Sequence, residues 1–131
     1  MQGFHLLYKE KMNRSALLPE IPIDETLQST ALETFQNKVL RPILKFQNDH
    51  ILQSVFHVCT NMAADFPTKS LVQRKRFVND IMRSNVALKH QLIGLVVAWM
   101  EIDQLTFYLA HQSDLNKRIS QMAVERVVSQ L

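Results

Sequence analysis

Five histidines, one cysteine and twelve carboxylates are the side chains from which this 131-residue chain could build a reactive centre. Their spacing argues against one. His50 and His57 are two turns apart if helical, about 10.5 Å along the axis, so they cannot share an ion without a third element between them. His90 and His111 are isolated. Glu101 and Asp103 are two apart, which sets them on different faces of a helix. Cys59 is alone, so it has no intramolecular disulfide partner and no cysteine-based metal cluster. Its apolar neighbours mark it as a small buried hydrophobe rather than a nucleophile. No serine stands in the strand-to-helix elbow that exposes a hydrolase nucleophile. Phosphate-cradling loops need clustered glycines, so that backbone N–H groups can approach the anion, and the chain has only Gly3 and Gly94. P-loop and dinucleotide-binding turns are therefore excluded. The reading is of a chain with no catalytic residue, no metal site and no cofactor; a small enzyme with a site among His50, His57, His90, Glu101 and Asp103 stays as an alternative.

Two polar groupings are candidates for binding. Arg41, Lys45, Asn48 and Asp49 form a strip suited to a small anionic ligand, or to the satisfied polar end of a bundle. Lys45 and Asp49, four apart, can pair for roughly 0.3 kcal/mol. The second grouping lies between Lys69 and Lys89, where six Lys or Arg accompany only one acid, Asp80. Arg74, Lys75 and Arg76 at its centre could contact phosphates without reading sequence. A helix-turn-helix reading fails, because the helix that would enter the groove is the greasiest in the chain and lacks an Arg/Asn/Gln-rich face. Sequence-independent nucleic-acid or anion binding is thus an alternative function. The net charge of +3 and pI near 9.2 permit an anionic partner without demanding one.

The elements that must position these residues are helices. Two glycines are too few for the tight turns of an all-β fold. Val86 to Met100 contains nine consecutive residues, Leu92 to Met100, without a polar side chain. That is too short for a membrane span, which needs about 20. Leu88, Leu92, Leu95 (or Val96) and Trp99 recur at helical steps, and Ser84 or Asn85 can cap the start. A helix apolar almost all round is expected to be buried on nearly all sides, so this one is expected at the centre of the bundle. Gly94, which costs a helix about 1 kcal/mol relative to Ala, is expected to let a neighbouring helix approach closely.

Residues 1–24 read as an extended N-terminal arm, with Pro19 and Pro22 favouring extended backbone and Ile21 and Ile23 lying in a groove. Residues 25–131 read as a single helical domain. A first helix is expected from Asp24–Ser29 to about Ala64, kinked or divided at Pro42. Beyond that proline, Leu44, Ile51, Val55, Val58 and Met62 form a seam widened by Leu52, Phe56, Cys59 and Ala63. Asn48 interrupts the seam where an apolar residue is due, a device that can fix register or oligomeric state. Ser70 and Gln73 have capping-box spacing, opening a helix to Arg83 that buries Leu71, Phe77, Val78, Ile81 and Met82. A break near Met100 to Asp103 precedes a short amphipathic segment carrying Ile102, Leu105, Tyr108 and Leu109. Ser113 then caps a last helix whose face is Leu115, Ile119, Met122, Ala123, Val127 and Leu131.

The stretches running from Phe35 to Asp49 (FQNKVLRPILKFQND) and from Ser113 to Arg118 (SDLNKR) resemble a family of short bacterial helical proteins, some labelled glyoxalase. The resemblance covers most of the chain after Met12 and carries over no catalytic residue. The expectation is an all-α bundle of four to five helices around a buried central helix. Its expected role is non-catalytic binding or assembly in the cytoplasm, self-associating as a homodimer, with no membrane span. The surplus of apolar helical surface in a small chain motivates the self-association.

Overall fold

The computed structural model describes residues 14–19 and 30–131, and these form an all-α bundle. The helices are α1 (Ala31–Phe35), a π-helical turn (Gln36–Leu40), α2 (Arg41–Phe46), α3 (Asn48–Met62), α4 (Leu71–Ser84), α5 (Val86–Val97), α6 (Ile102–Ala110) and α7 (Gln112–Ser129). Ile21 and Ile23 lie outside the described residues. Of the arm, residues 14–19 are described, and they include a short helical turn. Arg14–Leu17 form one 3-10 turn, tied to the bundle where the Ser15 N–H donates to Glu101 Oε1 at 3.1 Å.

Local signals start the helices. Thr30 caps α1 by accepting from the Glu33 N–H at 3.1 Å. Ser70 and Gln73 make the expected reciprocal box at the start of α4. Asn85 both ends α4 and caps α5, its Oδ1 accepting from the Leu88 N–H at 3.0 Å. The link between α6 and α7 is shorter than expected. His111 alone separates them, so Ser113 sits inside the first turn of α7 instead of capping it.

At Pro42 the backbone stays helical, and the first run is divided just ahead of it by a π turn. The turn before it widens to π geometry, with the Arg41 N–H donating to Gln36 O, and the backbone stays right-handed helical on both sides. A widened turn gives the pyrrolidine ring room against the preceding carbonyls and absorbs the missing donor. The run breaks later, at Gln47, which has φ −90° and ψ 11°. Gln47 is the one buried polar side chain among the described residues, and its Nε2 donates to the Leu95 carbonyl at 3.0 Å. That bond fixes the junction of α2 and α3 against α5.

The centre of the bundle is α7, not α5. Leu115, Ile119, Ala123 and Val127 have no accessible surface, and α7 packs against α3, α4, α5, α6 and the π turn. Ile51, Val55 and Cys59 of α3 are equally buried. By contrast α5 buries a single stripe, Leu88, Leu92 and Val96. Val86 is 60 % exposed, and Ala87, His90, Gln91 and Gly94 are exposed with it. The helix also stops at Val97, leaving Trp99 half-buried in the following turn, its ring 4.4 Å from that of Phe46. Among the described residues no helix approaches Gly94: a Cβ added there would meet nothing within 4 Å. Smaller corrections have one cause, the end of an element. Met62 and Leu71, expected in the core, close α3 and open α4, and both are exposed.

Candidate functional site

Two depressions bear on the candidate residues. The larger, an open groove of about 880 Å³, lies along the outer side of α3 and reaches Gln91 of α5. Asp49 and His57 line it. They are eight residues apart on one helix, about 12 Å along the axis, and His57 Nε2 faces Asn61 Nδ2 at 3.1 Å on its own helix. The groove holds no convergent pair of titratable groups.

The smaller is a cleft of about 420 Å³ between the first helical run and α7, lined by Gln36, Arg41 and Leu44 on one side and by Met122, Glu125 and Arg126 on the other, with Ser129 and Gln130 at its end. Asn48 and Gln130 close that end as a reciprocal amide pair: Asn48 Nδ2 donates to Gln130 Oε1 at 2.9 Å, and Gln130 Nε2 to Asn48 Oδ1 at 2.8 Å. The same Oδ1 accepts from Arg126 Nη1 at 3.4 Å. Asn48 therefore spends its polarity on docking the last turn of α7. Further along, Arg118 Nη1 donates to Gln36 Oε1 at 2.7 Å.

The predicted strip is thus divided. Arg41 lines the cleft, Asn48 buttresses it, Asp49 faces the other groove, and Lys45 is exposed and lines neither. Arg118, Arg126, Gln36 and Gln130 were not among the sequence candidates. The available signal was the four-residue recurrence of Arg118, Met122 and Arg126 beside the buried stripe of α7, which sets a cationic edge against the core.

The basic group on α4 is unevenly exposed, with Lys75 half-buried. Arg76 is exposed, whereas Arg74 is half-buried with its Nε enclosed and without a hydrogen-bond partner. Successive helical residues point about 100° apart, so Arg74, Lys75 and Arg76 leave the helix in different directions. Of the remaining titratable residues, Glu101 holds the Ser15 N–H, His111 Nδ1 lies 3.0 Å from the Phe107 carbonyl, and His90 and Asp103 are exposed. No group of three or more His, Cys, Asp or Glu among the described residues is placed to hold a metal ion. Burial pushes the Cys59 thiol up to about 11, so it is held as the neutral thiol, and the thiolate is the nucleophilic form. No helix among the described residues is long and apolar enough to cross a membrane.

Compared with known proteins, the chain matches no family model, no curated protein and no solved structure.

Proposed function

We propose that this chain is a non-catalytic cytoplasmic binding and assembly module that pairs with a second copy of itself through the open side of α5. The observation that carries this reading is the mismatch between the composition of α5 and its burial. Val86, His90, Gly94 and Val97 follow one another at steps of four, four and three along one line of the helix, with Ala87 and Ala98 beside them, and every one is exposed or half-buried. Val86, Ala87, Gly94 and Ala98 leave apolar surface in water on this side of α5, and exposed apolar surface grouped in this way marks an interaction face.

A second copy is the occupant that the charges favour. A two-fold axis sets each residue against itself or its near neighbours, so a face carrying like charges would repel its copy. The exposed line of α5 has no Lys, Arg, Asp or Glu. The open space over Gly94 lets the two helix backbones approach closely. One helix face is small beside the roughly 800 Å² per partner of a standard interface, so the dimer is expected to dissociate in the micromolar range.

Sedimentation velocity across that range tests the reading. The expected result is a shift from monomer to dimer with rising concentration, abolished by Gly94→Glu with unchanged helical circular dichroism. A wild-type chain that stays monomeric at the highest concentration overturns it.

A further inference from the structure

The cleft between the π turn and α7 is independent of the open face of α5 and has its own chemistry. Three guanidinium groups stand at or beside it. Arg126 and Arg118 are half-buried and held by the amide oxygens of Asn48 and Gln36. Amide oxygens orient a guanidinium without neutralising it. Among the described residues the ion pairs are Lys69–Asp65 and Arg83–Asp80, both elsewhere, so no described carboxylate stands within ion-pair distance of Arg41, Arg118 or Arg126. Leu44 and Met122 supply apolar wall beside the charges, where a low local dielectric strengthens attraction for an anion. The amide pair Asn48–Gln130 fixes the position of Arg126 before any ligand arrives.

We propose that this cleft binds a small molecule through an oxyanion headgroup, phosphate or carboxylate, gripped by Arg41 and Arg126 from opposite walls. Guanidinium groups suit this task because their planar fork matches two oxygens of one anion. Arg118 is eight residues from Arg126 on α7, about 12 Å along the axis. It supplies a second positive pole at the far end rather than a contact to the same headgroup. Glu125 stands at the rim, where Gln121 Nε2 reaches it at 3.4 Å. Its carboxylate opposes a bare anion and accepts a hydrogen bond from a hydroxyl or ammonium group next to the headgroup.

The test is calorimetric titration of the full chain with pyrophosphate and, separately, with citrate at low salt. Binding of pyrophosphate with weak or no citrate binding assigns a phosphate headgroup, and the reverse assigns a carboxylate. Arg41→Ala, an exposed position without a side-chain hydrogen bond or ion pair among the described residues, is expected to weaken the preferred ligand roughly tenfold or more, and Arg126→Ala at least as much. Glu125→Gln is expected to tighten it by a few-fold, a change of opposite sign that a merely structural role would not produce. Arg76→Ala on α4 serves as the control for overall charge. No binding of either probe at millimolar concentration, or equal losses in Arg76→Ala and Arg41→Ala, overturns the proposal.

Discussion

Helices α5 and α7 exchange the places that their compositions would give them. α5 is the most apolar of the described helices and shows one side to water. α7 carries Lys117, Arg118, Glu125 and Arg126, and its stripe of Leu115, Ile119, Ala123 and Val127 is sealed from solvent. Burial depends on whether apolar residues fall on one line with polar residues flanking it. In α7 they do, at steps of four, so a single orientation satisfies core and solvent together. In α5 they are spread further round the axis, and only His90 and Gln91 mark the side opposite Leu88, Leu92 and Val96. It docks through Leu88, Leu92 and Val96, its start capped by Asn85 and its Leu95 carbonyl held by Gln47.

The contrast is broken most severely in the core of α7. Ile119→Ala removes a side chain with no accessible surface and is expected to cost about 2–5 kcal/mol, read as a lowered urea midpoint. Val86→Ala, on the open side of α5 where the side chain is exposed, is expected to cost less than about 1 kcal/mol in dilute solution and to weaken self-association instead. Equal losses of stability would mean that the open face of α5 is covered within the single chain.

Much of the bundle was legible because it is written in local chemistry. Ser70 and Gln73, Asn85, the stripe of α7 and the break after the apolar run are each set by side chains within a turn or two. The central helix was misplaced for a different reason: mean apolarity says that a helix wants cover, not that its own chain supplies it. The π turn ahead of Pro42 was illegible because a missing donor can be answered by a break or by a wider turn, and tertiary packing of the buried Pro42 decides between them. The cleft was half legible. Arg41 and Asn48 sit on the stretch that was singled out, but Gln130 and Arg126 meet Asn48 across about eighty positions, a pairing that helical periodicity does not encode.

The wall of α3 that packs with α7 can be read by pH. Cys59 is inaccessible and its thiol is raised from 9.0 to about 11. The folded state therefore keeps a proton that the unfolded state releases. Stability is fully present below pH 9 and falls as pH rises from 9 to about 11, by up to roughly 1.4 kcal/mol per pH unit. Cys59→Ala is expected to lower stability at neutral pH and to flatten this alkaline fall, measured by urea melts at successive pH values. An unchanged alkaline slope in that variant would place the titration elsewhere.

The smallest effect gives the finest distinction, because its sign depends on what faces α5. Gly94 has ordinary helical backbone and open space where a Cβ would stand. In a lone chain Gly94→Ala is then all gain: it removes backbone freedom from the unfolded state and is expected to stabilise by about 0.5–1 kcal/mol. In a dimer crossing at Gly94 the same methyl group pushes two backbones apart and weakens their contact. Thermal melts well below the dissociation constant should therefore show the variant above wild type, and melts well above it should show the gain shrinking or reversing. A gain that is constant over the whole concentration range would mean that nothing packs over Gly94 in solution, and α5 would then be an apolar helix that water alone covers.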